Sequence, residues 1–600
     1  MAIVDFTNVF QMLEQTVENS PQGPAFRWLD KGRGEAAATV TWKRFYDQVE
    51  TVSKGLMALG LEKGDKVNVI SYSCYKWVLT DLGTMAMGCA TVGIYHSNLP
   101  REMAYIINHS DAKIVFAEDH TQLDKLLKIR TEIPGVERVI LFEGDPGEED
   151  WVMGFDAFMG LGTTIPTEDF KERVQGVGPE DVAAIVYTSG TTGVPKGVVL
   201  THDNITFTAQ SAFLTFDWRE GDETFLFLPL AHVFARICVY MTLFCGTPTF
   251  FAQSMTTVID DIKVARPHWF ASVPRIYEKI YSKIIANAGA KGGVALKIFN
   301  WAMAIGREVT ALQVEKRPLP LGLMLKYKVA TKLVFEKIHQ ALGNRVRWCI
   351  SGAAPINPDI IKFFHGAGIK VLEGIGMTEN ASFSNVTRHD DIRFGWVGPP
   401  GPGIEQKTGE DGEIMFRGRN VMKAYYKMPE KTNETLTEDG WLLTGDLGEI
   451  DGSGNLRVTG RKKDLIITSG GKNIAPEPIE GILATGTYIN QVMILGDRER
   501  FLTAVVTPDP DTVSDWAKKN RISFKTVEDL VESKEVKALI QGEIQEKNRD
   551  LASFETIKKV IIVPEFTIDN GLITPTLKLK KARIKERYQQ EITAMYQDVP

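Results

Sequence analysis

At Val182 the chain enters an apolar, strand-like run, Val182-Ala-Ala-Ile-Val-Tyr187, that empties directly into Thr188-Ser-Gly-Thr-Thr-Gly-Val-Pro-Lys-Gly197. A strand ending in such a loop constrains both architecture and chemistry. Gly190 and Gly193 let backbone N–H groups approach and point at an anion. The hydroxyls of Thr188, Ser189, Thr191 and Thr192 add donors, and Lys196 supplies a compact positive charge. The combination suits a polyphosphate. It is not a Walker A loop, which requires Ser or Thr after the lysine where this chain has Gly197, and it lacks GxGxxG spacing. For a loop of this composition taken alone, a plain flexible turn is the better reading.

The surroundings of the loop set the fold class. Short β-rich runs such as Val67 to Ser71 and Lys113 to Phe116 alternate with helical patterns such as Trp42 to Ala58 and Arg101 to His109, the rhythm of α/β units. From Tyr277 to Ala341 turn signals are sparse apart from Gly292-Gly293 and Pro318 to Gly322, which predicts a long helical excursion. Glycine and proline cluster at Gly398 to Gly403, and closely spaced short strands follow, as in a compact β-rich subdomain. Near Arg461 a new unit begins. It carries a turn at Gly470-Gly471, a helix over Glu477 to Ala484, strands at Gln491 to Leu495, Leu502 to Thr507 and Lys559 to Val563, and a basic carboxy-terminal helix. The prediction is an α/β protein: a large N-terminal domain over 1–460, of layered sheets and helices with a β-rich subdomain, and a small mobile α+β domain over 461–600.

A length of 600 residues exceeds what one core normally supports, in agreement with two domains. A net charge of −7 excludes an ordinary nucleic-acid binder, so an anionic partner must be met by a local site. Cys74, Cys89, Cys238, Cys245 and Cys349 form no CxxC pair, which suits buried thiols in a reducing, cytoplasmic setting. Met1 to Asn19 lacks the basic and apolar regions of a secretory signal. The most apolar stretch, Phe225 to Phe251, is interrupted by Pro229, His232, Arg236 and Gly246, so no membrane-spanning segment is expected. Peripheral membrane contact and a homodimer stay open.

Further strings follow in order: Phe227-Leu-Pro-Leu-Ala-His-Val-Phe-Ala-Arg236, Arg347-Trp-Cys-Ile-Ser-Gly-Ala-Ala-Pro355, Leu372-Glu-Gly-Ile-Gly-Met-Thr-Glu379, Asp439-Gly-Trp-Leu-Leu-Thr-Gly-Asp446, Gly460-Arg-Lys-Lys-Asp464 and Gly571-Leu-Ile-Thr-Pro-Thr-Leu-Lys-Leu-Lys580. With the loop at Tyr187 to Gly197, this series resembles the adenylate-forming (AMP-binding) superfamily along essentially the whole chain. Arg266-Pro-His-Trp-Phe-Ala-Ser-Val-Pro-Arg-Ile-Tyr-Glu-Lys279 and Leu372-Glu-Gly look most like its long-chain fatty-acyl-CoA synthetase branch.

The resemblance implies an ATP- and Mg²⁺-dependent ligase that joins a long-chain fatty acid to coenzyme A through an acyl-adenylate. Alternatives are a fatty-acyl-AMP ligase that loads a carrier protein and an inactive nucleotide- or acyl-binding homologue. It further implies a nucleotide site made of Thr188, Ser189, Gly190, Thr191, Thr192, Gly193 and Lys196, of Gly352, Ala353 and Ala354 against adenine, and of Glu373, Gly374, Ile375, Gly376 and Thr378. Asp446 would accept from the ribose hydroxyls, with Arg461 adding donors. Glu379 would hold Mg²⁺, a hard cation that takes one or two carboxylates plus substrate oxygens. Lys578 would neutralise charge on the transferring phosphate, so Lys578, Glu379 and Thr188 are the implied catalytic residues. His232 would line the site and Lys463 would mark the hinge, near 461–464. One position departs from the pattern: Ile375 stands where relatives place an aromatic ring on adenine, a stacking term of roughly 0.5–1.5 kcal/mol.

Overall fold

The computed structural model describes residues 2–29, 37–148, 150–188, 194–574 and 578–597. The strand Val182–Thr188 lies inside an eight-stranded sheet. It pairs antiparallel with Lys196–Thr201 and parallel with Ala90–Ile94, beyond which Lys66–Ile70, Ala112–Ala117, Arg138–Leu141 and Val152–Gly154 continue the sheet in parallel. A second eight-stranded sheet has Thr224–Leu226, Trp269–Ser272, Trp348–Ser351 and Lys370–Ile375 parallel at its centre, with antiparallel strands at both edges. Parallel strands of this kind are covered on both faces, and their near-continuous apolar runs follow from that.

Helices supply the cover. Trp42–Ala58 starts at Thr41, whose hydroxyl accepts from the Arg44 N–H, and it buries Trp42, Phe45, Val49, Val52 and Leu56 at helical spacing. Each such side chain taken out of water contributes roughly 1.5–3 kcal/mol. Val233–Cys245 is buried almost all round and ends at Gly246 in the left-handed conformation, φ 69°. Its Arg236, the last residue of the histidine-bearing string, is a core group: it is ion-paired with Asp81 at 2.5 Å, and both receive support from Tyr240. The stretch Phe225 to Phe251 is thus strand, 13-residue helix and strand. No described helix is long and apolar enough to cross a membrane.

The helical excursion consists of Pro274–Lys291, Gly293–Val314 and Leu321–Ala330, the last running through a π turn at Thr331–Phe335 into Glu336–Ala341. Both expected punctuation points hold, since Gly292 and Gly293 have φ near +55° between the first two helices. After Gly403 comes a four-stranded antiparallel sheet, Glu405–Thr408, Glu413–Arg417, Leu442–Ile450 and Leu456–Arg461. Residues 466–595 hold two apolar clusters of their own, on either side of the sheet Ile489–Leu495, Leu502–Pro508 and Ile557–Ile562. The basic carboxy-terminal helix is two helices, Lys581–Arg587 and Gln589–Gln597, broken at Tyr588, whose ring packs into the core beside Phe566.

Candidate active site

Register brings the phosphate-loop ends together. Thr188 lies opposite Lys196 across the antiparallel pair, and its hydroxyl donates to the Lys196 carbonyl at 3.5 Å. Ser189, Gly190, Thr191, Thr192 and Gly193 lie outside the described residues. Beside this hairpin the two-residue strand Ala424–Tyr425 adds on antiparallel, with Tyr425 opposite Val198, and the Tyr426 N–H donates to the Gly197 carbonyl at 2.7 Å. The Lys196 ammonium sits 4.2 Å from the centre of the Tyr425 ring. In turn the Tyr425 hydroxyl donates to Glu379 Oε1 at 2.6 Å. A cation, an aromatic hydroxyl and a carboxylate thus form one connected row.

Glu379 comes from the second sheet. After Lys370–Ile375 the chain makes a single tight turn, Thr378–Asn380, and Thr378 and Glu379 are both buried there. Gly376 is obligatory, because a Cβ would fall 2.0 Å from the Ser382 carbonyl oxygen. The Glu379 carbonyl accepts from the Met422 N–H at 2.8 Å, so backbone and side chain are both tied to the segment carrying Tyr425. Among the described residues Tyr425 is the one hydrogen-bond donor to the Glu379 carboxylate, which leaves lone pairs for a cation. Among the described residues no three His, Cys, Asp or Glu side chains converge to hold a metal. One carboxylate with room for substrate oxygens fits Mg²⁺, which keeps few protein ligands when it rides on phosphates.

Neighbouring positions divide. Gly352 and Ala353 follow the strand Trp348–Ser351, at the carboxyl end of the parallel strands, where ligands of open α/β sheets sit. A Cβ on Gly352 would come within 3.2 Å of the Phe234 ring, Ala353 is held at φ +70°, and Ala354 is exposed. Ile375 is half-buried and packs against the main core. Glu373 is engaged elsewhere: its buried carboxylate accepts from the Gly395 N–H at 3.0 Å, and burial pushes its pKa up to about 8.

Asp446 and Arg461 are direct cross-strand partners in the four-stranded sheet, with Arg461 Nε 3.0 Å from Asp446 Oδ1. The Asp446 N–H donates to the Thr444 hydroxyl at 3.1 Å, fixing the bend before the carboxylate. Burial raises the Asp446 pKa, while Arg461, Lys578 and Lys463 pull it back down.

Lys578 reaches the same place from the C-terminal part of the chain. Its loop is closed by the Thr574 N–H donating to the Lys578 carbonyl at 2.8 Å, by the Lys578 N–H donating to the Thr574 hydroxyl at 3.0 Å, and by a bridge between Ile573 and Leu579. The side chain keeps contact with solvent while protein crowds round its ammonium, as in a cleft. That crowding, with Arg461 adding repulsion, lowers its pKa to about 8 against the pull of Asp446, Glu379 and Glu477. His232 feels the same ammonium: burial and then Lys578 lower its pKa to about 4. Its Nδ1 accepts from the Phe234 N–H at 3.1 Å as the cap of Val233–Cys245, so the neutral ring carries its proton on Nε2. Lys463 is exposed and acts on Asp446 through its charge.

The family model for AMP-binding enzymes matches residues 13–426, and that for the AMP-binding enzyme C-terminal domain matches residues 463–600. The chain belongs to the AMP-binding enzyme family. It is 32% identical over 575 residues to a long-chain-fatty-acid–CoA ligase, FadD15, of Mycobacterium bovis, covering 95% of this chain and 92% of the relative. To the peroxisomal long chain acyl-CoA synthetase 6 of Arabidopsis thaliana it is 33% identical over 602 residues, 96% of this chain and 82% of the relative. Among solved structures, the A domain of carboxylic acid reductase from Segniliparus rugosus, bound to AMP and a carboxylic acid, shares the fold. The TM-score is 0.77 at 21% identity, over 98% of this chain and 94% of that one.

Within this AMP-binding enzyme the structure adds Tyr425, Thr444 and Glu477 to the cluster that the motifs named. Tyr425 carried no local signal, being half of a two-residue strand whose meaning comes only from its pairing partner.

Proposed function

We propose that this chain is a ligase that activates a long-chain fatty acid as its adenylate and passes the acyl group to coenzyme A, releasing AMP and pyrophosphate. The observation that carries the reading is the row Lys196–Tyr425–Glu379 together with the Asp446–Arg461 pair, carboxylates on which Lys578 acts through its charge. In the first half-reaction the acid's carboxylate oxygen attacks the α-phosphorus of ATP and the bond to pyrophosphate breaks. No general base is needed, since a carboxylate is already ionised near neutral pH. Lys578 and Lys196 face the developing charge, the Thr188 hydroxyl turns to it from its long bond to the Lys196 carbonyl, and Asp446 holds the ribose. Such preorganised donors supply most of the rate in a transfer of this kind. Glu379 would hold Mg²⁺, which when bound neutralises phosphate charge.

The second half-reaction needs the lysine out of the way, because the thiol must reach the acyl carbon. In this reading residues 1–460 form one domain and 461–600 another. The smaller turns about Lys463, withdrawing Lys578 and presenting Thr468 to Asn473. Away from the junction at Arg461 and Lys462, the polar ties between the two parts among the described residues include Arg275, which donates to Asn490 at 2.5 Å and lies 3.6 Å from Glu565, and Asn357, which meets the Gly481 carbonyl at 3.5 Å. Contacts of this kind can break and reform as the small part turns. Five free thiols, all buried or half-buried, support a reducing compartment, the cytoplasm.

The test is thioester formation that depends on ATP, Mg²⁺ and CoA, measured across acids from short to very long chains. A maximum at long-chain acids is expected. A maximum at short or aromatic acids would sink the substrate assignment, and adenylate that leaves only on an added carrier protein would favour a carrier-loading ligase.

A further inference from the structure

The helix beginning at Leu321 is apolar on two opposite faces. Inward, Leu323, Ala330, Val334, Phe335 and Ile338 are buried against the main core. Outward, Leu321, Leu325, Val329 and Leu333 recur at every fourth residue and are 79%, 64%, 50% and 44% exposed, with Met324 beside them. A helix that is apolar all round is normally covered all round. Single exposed leucines need no explanation, but a contiguous stripe marks a contact surface.

Charge identifies what covers it. Residues 316–337 carry six Lys or Arg and one carboxylate, in a chain whose net charge is −7. Lys326, Lys328, Lys332 and Lys337 are exposed, and among the described residues none has an acidic side chain within ion-pair distance, unlike Lys316, which pairs with Asp391 at 3.3 Å. These lysines flank the stripe, and their long stems can lie along an apolar layer with the ammonium groups at its polar boundary.

We infer that the outer face of Leu321–Ala330, continued to Leu333, docks on the surface of an anionic lipid bilayer. Leu321, Leu325, Val329 and Leu333 enter the acyl boundary, and Lys326, Lys328 and Lys332 meet the headgroups. Apolar insertion and attraction to anionic lipid reinforce each other in such a helix, while a neutral surface satisfies only the first. The docking goes beyond the ligase activity and stands on the surface alone, so its test reads lipid binding.

The full chain is mixed with vesicles of phosphatidylcholine alone or with phosphatidylglycerol at 7:3, and the bound fraction is measured by flotation at low and high salt. Binding to the anionic vesicles, weakened by salt, is expected. A Leu321→Ser/Leu325→Ser/Val329→Ser variant should bind at least about 10-fold more weakly, with only a small fall in Tm because these side chains are at least half exposed. A Lys326→Gln/Lys328→Gln/Lys332→Gln variant should lose the preference for anionic lipid. Equal binding of wild type and the serine variant, or no flotation of wild type, would overturn the inference. So would a wild-type dimer that the serine variant turns into a monomer, since the stripe would then belong to a second copy.

Discussion

Asp446 and Arg461 face each other across adjacent strands, and Glu379 is gripped through both its side chain and its carbonyl. Lys578 reaches the same cleft from a loop closed by two hydrogen bonds and one isolated bridge. Asp446 and Arg461 are held by strand pairing and Glu379 by a tight turn that is tied through side chain and backbone, the kind of support a preorganised nucleotide site requires. The loop-borne ammonium sits less comfortably. The Lys578 side chain reaches solvent, but protein packed round the ammonium, with Arg461 beside it, lowers its pKa to about 8. Phosphate oxygens would supply the negative charge that this arrangement is short of. Under the proposed mechanism, ATP therefore favours the closed arrangement, and departure of pyrophosphate removes part of the reason for keeping it.

The sharpest way to break this contrast is to remove the mobile partner. Lys578→Ala should lower adenylate formation by about 10²–10³, while thioester formation from supplied acyl-adenylate stays within a few-fold of wild type. Pre-steady-state assays of each half-reaction make the comparison, and equal loss in both would remove the division of labour. On the fixed side, Glu379→Gln should raise the Mg²⁺ concentration for half-maximal rate by at least the roughly 10–100-fold that loss of an outer-shell partner costs a metal site. An unchanged Mg²⁺ titration would assign Glu379 to holding Tyr425 alone.

The two regions also differed in how legible they were in the sequence. Local patterns gave the helices and strands, because hydrophobic period and caps such as Thr41 act within a few residues: the helix expected at Trp42 to Ala58 is the helix found. The row from Lys196 through Tyr425 to Glu379 was not legible, since it depends on a short strand arriving more than two hundred residues later to pair with Lys196–Thr201. Glu373 lies in the same string as Glu379 but inside the strand Lys370–Ile375, where its carboxylate accepts from the Gly395 amide, whereas Glu379 lies beyond the strand in the turn Thr378–Asn380. His232 likewise serves as a helix cap, a role set by the following backbone.

The depressed lysine pKa gives the contrast a pH signature. Lys578 carries its charge below about 8 and loses it above. Since kcat/KM reports the free enzyme, its value for ATP should fall about tenfold per pH unit above that point. Bound phosphate stabilises the ammonium, so the alkaline limb of kcat at saturating ATP should lie at higher pH. Lys578→Ala should have no such limb, and a wild-type profile flat to well above pH 8 would place the ammonium outside the cleft.

Ile375 offers the smallest and most local adjustment to the fixed region. It is anchored in the strand Lys370–Ile375, half-buried on the core, with glycines on either side that leave the backbone bare toward the carboxyl end of the sheet. Ile375→Tyr replaces this apolar contact with a ring able to stack on adenine. A gain of roughly 0.5–1.5 kcal/mol corresponds to about a 2–10-fold lower KM for ATP. The maximal rate of thioester formation from saturating supplied adenylate should not change, because the ring meets adenine and not the acyl carbon that the thiol attacks. If KM rises instead, the core beneath Ile375 has no room for the ring, and this chain holds adenine by the walls at Gly352 to Ala354 rather than by stacking.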